Sequence, residues 1–213
     1  MTQRRKKKSE RSTQRQAYGL TVLKAADPRI RQLKRRHEPS IHGNKFWASS
    51  WAIIDYLARQ RLPANTAVMD IGCGWGLAGI YCAREFAARV TSVDADPAVF
   101  PFLDLHARIN GVEIRQQCRT FQEVRQTDLC GQDVVLGADV CFWDELIAPL
   151  YELMERGLAA GVQQIILADP GRPPFMNLAE RCVRDLGGEV KNWDVEAPVK
   201  ARACLLIVGA LPQ

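Results

Sequence analysis

No stretch of the 213-residue sequence approaches the roughly 18 consecutive apolar residues that a membrane helix needs. The N-terminus also has no apolar core of the kind a secretory leader carries. A soluble protein that makes no membrane contact is therefore expected. The seven cysteines, at positions 73, 82, 118, 130, 141, 182 and 204, form no C-x-x-C pair, and most stand in apolar surroundings. That pattern argues against a zinc site or a disulfide framework, so no metal is expected and the cytoplasm is the expected compartment. No internal repeat is present. With 213 residues and 47% hydrophobic content, the chain is long enough for one α/β domain but too short for a cofactor domain plus a separate substrate domain, which counts against a two-domain dehydrogenase. A monomer is expected.

Acidic residues are scarce at one end only. Residues 1–36 hold 13 Lys and Arg against Glu10 and Asp27, a balance of +11; the whole chain carries +5, so residues 37–213 carry −6. The division expected is a basic, disordered arm over 1–36 and one folded domain over 37–213. Self-repulsion and low hydrophobicity around Arg4-Arg-Lys-Lys-Lys8 are the physical reason for the disorder. Such an arm is either a solvated tail or a flexible cluster that recruits RNA or an acidic protein. Lysines rather than isolated arginines dominate the run, which fits a transit peptide poorly.

Glycine is concentrated where it matters most. In Val68-Met-Asp-Ile-Gly-Cys-Gly-Trp-Gly76 an apolar strand ends in Gly72, Gly74 and Gly76, which let the backbone turn with no Cβ in the way of a ligand. The helix-compatible stretch 77–89 follows, with its first amides aimed at the turn, and then Thr91-Ser-Val-Asp94. Asp94 is placed to close the second strand and accept hydrogen bonds from ribose hydroxyls. Residues 74–79 also satisfy the dinucleotide pattern G-x-G-x-x-G. Asp70 separates the two readings, because a carboxylate two residues before the first glycine repels a pyrophosphate but attracts the α-ammonium of S-adenosylmethionine.

Short apolar runs then alternate with helical segments: 68–71, 90–93, 112–114, 133–136, 164–168, 189–195 and 203–209. Seven strand candidates alternating with helices predict a mainly parallel sheet with helices on both faces; the fold class expected is Rossmann-like, with the last strand antiparallel. Residues 27–37 predict a short basic helix, and 52–60 a helix capped by Ser49 or Ser50. Ligands of such sheets bind beyond the strand carboxyl ends, which singles out Asp139 after the fourth run. Asp139 either caps the helix that starts near Asp144 or Glu145, or sits beside the reacting group with Phe142 and Trp143 and orients an incoming amine.

Asp70-Ile-Gly-Cys-Gly-Trp-Gly76 resembles the first motif of the class I, seven-stranded S-adenosylmethionine-dependent methyltransferases. Leu136-Gly-Ala-Asp-Val-Cys-Phe142, together with Trp47-Ala-Ser-Ser-Trp51 and Ala168-Asp-Pro-Gly-Arg172, is similar to the seven-strand protein lysine methyltransferases with a D/E-x-x-Y/F segment, in particular the branch acting on the electron-transfer flavoprotein β subunit. The resemblance covers the chain from about residue 43 onward. It implies S-adenosylmethionine held by Trp47, Asp70, Gly72, Cys73, Gly74, Gly76, Asp94, Ala95, Thr120, Phe121, Gly137 and Ala138, with Asp139, Phe142 and Trp143 at the reacting end. It implies a protein lysine as substrate.

Two departures stand out. Phe142 replaces the tyrosine of many members, so no role that needs a phenolic hydroxyl carries over. Residues 117–122 lack the acid that often meets the adenine amino group, leaving Thr120 or the main chain for that contact and Phe121 for stacking. The Asn/Asp-Pro-Pro-Tyr/Phe turn of adenine-N6 enzymes is missing after the fourth run, and Pro173-Pro-Phe175 follows the fifth. The rival readings are an RNA or small-molecule methyltransferase that uses the basic arm to hold a polyanion, and a non-catalytic module that keeps the cofactor fold. A lysine nucleophile with a free pKa near 10.4 needs about 4.6 kcal/mol to lose its proton at pH 7, so an anion beside it works against the reaction. Asp139 is accordingly assigned to binding and orientation first.

Overall fold

The computed structural model describes residues 13–37 and 47–212. Its centre is a seven-stranded sheet made of β3 (Ala67–Ile71), β4 (Arg89–Asp94), β5 (Arg115–Cys118), β6 (Val134–Ala138), β7 (Gln164–Asp169), β8 (Glu189–Val195) and β9 (Ala201–Gly209). The spatial order is β5-β4-β3-β6-β7-β9-β8. Every pairing is parallel except those of β9, which runs antiparallel to both β7 and β8. The predicted fold class holds. β3, all five residues of which are buried, lies beside the central strand β6, and the order reverses between the two. Ligands of open parallel sheets bind at such a reversal.

Helices cover both faces: α2 (Ser49–Gln60), α3 (Leu77–Phe86) and α4 (Phe100–Asn110) belong with the chain before β5, and the short α5 (Gln126–Leu129), α6 (Ile147–Ala159) and α7 (Pro173–Leu186) follow it. One apolar cluster packs α2 and α3 against the sheet through Trp51, Ile53, Leu57, Ile80 and Val68. The opposite cluster packs α6 and α7 through Leu150, Met154, Leu178 and Cys182. All seven cysteines are free. Among the described residues no helix is long and apolar enough to cross a membrane, and no cluster suited to a metal ion occurs.

Three expectations need correction. The arm expected to be disordered over 1–36 folds from residue 14: β1 (Gln14–Ala17) and β2 (Leu20–Leu23) form an antiparallel hairpin, and α1 (Pro28–Arg36) follows where a short basic helix over 27–37 was expected. Its few apolar residues suffice because Leu20, Val22, Leu23 and Ile30 are almost wholly buried. Polar contacts also pin β2: Asn110 receives the Thr21 amide (2.8 Å) and donates to the Thr21 carbonyl (3.0 Å), while His106 Nε2 accepts the Leu23 amide (3.2 Å). The basic run 4–8, His42 and the segment 43–46 lie outside the described residues. The third strand is at 115–118 rather than 112–114. It is an edge strand of polar sequence, while Val112 and Ile114 pack against the core from the loop before it. α2 begins with Ala48 as its N-cap, and Ser49 and Ser50 lie inside the helix instead of capping it.

Candidate active site

The glycine loop after β3 is built from backbone geometry. Gly72, Gly74 and Gly76 all have positive φ, at +55°, +52° and +74°. At Gly76 a side chain is also shut out by packing, because a Cβ there would come within 2.7 Å of Leu103. Gly76 N–H donates to the Cys73 carbonyl (2.8 Å), closing the turn, and α3 begins at once. Trp75 in this loop stacks on Phe102 with ring centroids 5.0 Å apart and on His106 at 5.4 Å. Leu23 and Ile30 of the N-terminal segment pack into the same cluster. His106 accepts from Leu23 N–H at Nε2, and its Nδ1 lies 2.7 Å from the Phe102 carbonyl, so the neutral Nδ1-protonated ring satisfies both contacts. Burial lowers its pKa in the same direction.

Two acids face this loop. Asp70, only 3% exposed, accepts the Gly79 amide at 3.1 Å from the first turns of α3. Burial pushes its pKa up to about 7, the Asp94 charge adds to the rise, and the Gly79 amide opposes it. Asp94 ends β4 as predicted and ties the loop down: Oδ2 accepts Gly74 N–H (2.9 Å) and Oδ1 accepts Asp96 N–H (3.0 Å). Its pKa is also raised by burial. Neither acid has an ion-pair partner among the described residues.

A second group of residues gathers at the ends of β6 and β7. Asp139 follows β6 with φ +58°, a left-handed conformation that few residues other than glycine adopt and that Asp tolerates better than most. Its amide donates to Ala168 O (2.8 Å), and its carboxylate accepts from Arg172 Nη1 (2.9 Å) and from Ser49 N–H (3.3 Å) at the start of α2. Asp139 thus serves the N-terminus of α2, 90 residues earlier in the chain, and not the helix after it. The 3-10 turn Asp144–Leu146 that leads into α6 has Trp143 as its N-cap. Arg172 Nη1 also meets Asp169 Oδ2 at 2.6 Å, and Asp169 accepts the amides of Gly171 and Arg172. Both acids are buried. Burial raises the Asp169 pKa, with the Arg172 contacts opposing it. The guanidinium carbon lies 5.6 Å from the centre of the Trp47 ring.

One cavity of about 600 Å³ spans both groups. Every residue expected at the site lines it except Gly76 and Gly137. A Cβ at Gly137 would come within 2.9 Å of Leu167. Phe142 and Trp143 meet edge to face at 4.7 Å, and Trp143 is 48% exposed at the rim. Thr120 lines the cavity, but its amide and hydroxyl both donate to Glu123, at 2.8 and 3.0 Å. Ten lining residues lie outside the expected set, among them Trp75, Asp96, Pro97, Arg119 and Leu146. Asp96-Pro97, directly after Asp94-Ala95, was the available signal for two of them, since Asp before Pro marks a turn at a strand end.

The lysine methyltransferase family model matches residues 27–173. The chain belongs to that family. It is 23% identical over 158 residues to the electron transfer flavoprotein beta subunit lysine methyltransferase of Homo sapiens, covering 72% of this chain and 60% of the relative. To the Danio rerio protein of the same name it is 28% identical over 133 residues, covering 61% and 50%. The chain thus matches only about half to three fifths of the length of these relatives. Among solved structures, a precorrin-6y C5,15-methyltransferase from Geobacter metallireducens aligns with a TM-score of 0.60 at 13% identity, over 82% of this chain and 94% of that one. The Pyrococcus abyssi tRNA (uracil-54, C5)-methyltransferase in complex with S-adenosyl-L-homocysteine gives 0.57 at 16%, over 91% and 42%. At these identities the structural likeness speaks for the fold.

Proposed function

We propose that this chain is an S-adenosylmethionine-dependent methyltransferase that methylates a lysine side chain of a protein. The observation that carries the reading is a single cavity with an acidic end, at Asp70 and Asp94, and an aromatic end, at Trp47, Phe142 and Trp143, where Asp139 is already held by Arg172. The acidic end fits the cofactor. Asp70 offers a carboxylate without a cationic partner to the α-ammonium, Asp94 stands at the ribose position, and Phe121 and Thr120 line the wall where a purine would lie. When bound, the cofactor supplies an activated methyl group on a sulfonium centre.

The rest of the work falls to the chain itself. Alignment of the amine and a water-free approach are the main contributions an enzyme makes to such a displacement. Trp47, Phe142 and Trp143 supply apolar walls that favour a neutral amine over an ammonium. Asp139 receives and orients the incoming side chain, while Arg172 at 2.9 Å offsets its charge, so that it does not hold the amine protonated. No metal enters this scheme. A cytoplasmic workplace and a monomeric state belong to the same proposal. The relatives are named for the electron transfer flavoprotein β subunit, which makes that protein the first substrate to try.

The test is transfer of labelled methyl from S-adenosylmethionine, first to recombinant electron transfer flavoprotein β subunit and then to a cell extract digested separately with protease and ribonuclease. Label on lysine that protease releases supports the reading. Label released by ribonuclease, or found only in small molecules, overturns the lysine assignment and leaves the methyltransferase reading in place.

A further inference from the structure

The N-terminal helix α1 carries a charge that the site does not use. It reads Pro-Arg-Ile-Arg-Gln-Leu-Lys-Arg-Arg over residues 28–36 and contains no acid. Its inner face is spent on folding: Ile30 is wholly buried, Leu33 packs on the Trp75 and Phe102 cluster, and Lys34 Nζ sits 5.8 Å from the Trp75 ring centre. Arg29 is paired with the N-cap Asp27 at 2.9 Å. The outer face is Arg31, Gln32, Arg35 and Arg36, all exposed, and none of the three arginines has an ion pair among the described residues. An open concavity of about 460 Å³ runs along Pro28, Arg31, Gln32, Arg35 and Arg36. A helix dipole favours cations in the last turn, which accounts in part for Arg35 and Arg36 but not for Arg31 in the first.

We infer that the outer face of α1 is a docking surface for the phosphodiester backbone of a nucleic acid. Charge sets the sign of the partner, and the make-up of the face sets its class. A protein partner needs an apolar or aromatic centre to its interface, whereas protein–nucleic acid interfaces are polar and strongly positive. Apart from Pro28 at its first position, the outer face of α1 has no exposed apolar side chain, because Ile30 and Leu33 point inward. Arginine forks bind phosphate oxygens in pairs, and Arg31 and Arg35 stand one turn apart on the same face. No aromatic side chain is interleaved with them, so the contact reads backbone charge and not base sequence. Docking of this kind sets where the protein works, not what it modifies, and does not depend on the activity proposed above.

The test is fluorescence anisotropy of the full chain with labelled oligouridylate and oligothymidylate, with poly-glutamate as the acidic polypeptide control, at about 50 to 200 mM salt. The variant is Arg31→Ala, Arg35→Ala and Arg36→Ala together; alanine keeps helix propensity, and unchanged circular dichroism and melting temperature verify the fold. A comparison variant replaces the basic run 4–8 with alanine. Binding by the wild type should weaken with salt, and the helix variant should lose affinity together with roughly 2 units of the log–log salt slope, as expected for three lost phosphate contacts on a single strand. Tighter binding of oligouridylate than oligothymidylate identifies the source as RNA, and the reverse identifies DNA. The proposal is overturned if the helix variant binds like the wild type, if only the 4–8 variant loses binding, or if poly-glutamate binds more tightly than either oligonucleotide.

Discussion

On the proposed reading, Asp70 ties the stability of the protein to the pH dependence of cofactor binding, and the two effects have opposite consequences. Its pKa rises from 3.8 to about 7, mainly because burial disfavours the charged form. In the unfolded chain the group ionises near 3.9, so between about pH 4 and pH 7 the unfolded state releases a proton that the folded state keeps, and stability falls with rising pH across that window. Above pH 7 the loss is complete, at about 4 kcal/mol for a three-unit shift. A cationic ammonium placed beside Asp70 reverses the preference and favours the carboxylate. Binding of S-adenosylmethionine near neutrality should therefore expel part of a proton, about half of one at pH 7, and its affinity should fall about tenfold from pH 8 to pH 6.

The perturbation is Asp70→Asn, which keeps an oxygen to accept the Gly79 amide but cannot ionise. Calorimetric titration at pH 6, 7 and 8, in buffers of different ionisation heat, reads affinity and proton release together, and thermal denaturation without cofactor reads stability. The variant should melt higher than the wild type at pH 8 and no differently near pH 4. It should bind the cofactor more weakly at pH 8 and show little pH dependence. A wild-type affinity that is flat from pH 6 to 8, or a variant that keeps the wild-type slope, refutes the reasoning that Asp70 is a buried acid awaiting a cation.

Gly76→Ala combines a left-handed φ, about 1–2 kcal/mol for a residue with a Cβ, with a 2.7 Å approach to Leu103, and should lower both the urea midpoint and cofactor affinity. Arg172→Met leaves Asp139 and Asp169 buried without their shared cation, and removing one partner of such a pair should destabilise by about 3–5 kcal/mol in chemical denaturation at pH 7. Asp139→Asn tolerates the positive φ and should retain cofactor affinity while losing methyl transfer; equal turnover in the variant would remove Asp139 from the mechanism. Tyr18→Phe removes a 2.6 Å hydrogen bond to the buried Asp55 and should cost about 1.5–3 kcal/mol, the range for a bond to a charged group, as a lower melting temperature.

The two halves of the cavity differ in how far they could be read from the sequence, and the reason is chain distance. Asp70, the three glycines and Asp94 lie within one strand–helix–strand unit, so spacing alone places them together, and the fold confirms β3, α3 and β4 where the pattern put them. The other half depends on contacts that no local pattern encodes. Asp139 meets Arg172 across 33 residues and Ser49 across 90. Spacing left Asp139 between capping the helix after it and orienting a substrate, and nothing in it pointed to Ser49 or Arg172 as its partners. Misplaced elements follow the same rule. β5 is a polar edge strand without an apolar run, and the hairpin of β1 and β2 is hidden in a basic composition although Tyr18-Gly19, both at positive φ, is a two-residue turn between alternating segments. Composition averages over a segment, whereas folding needs only the five apolar residues there that are buried, Ala17, Leu20, Val22, Leu23 and Ile30. The half of the cavity proposed to receive the substrate is assembled from three distant segments held by one guanidinium. A change in any of the three moves Asp139 against its aromatic walls, while the glycine loop can keep its geometry.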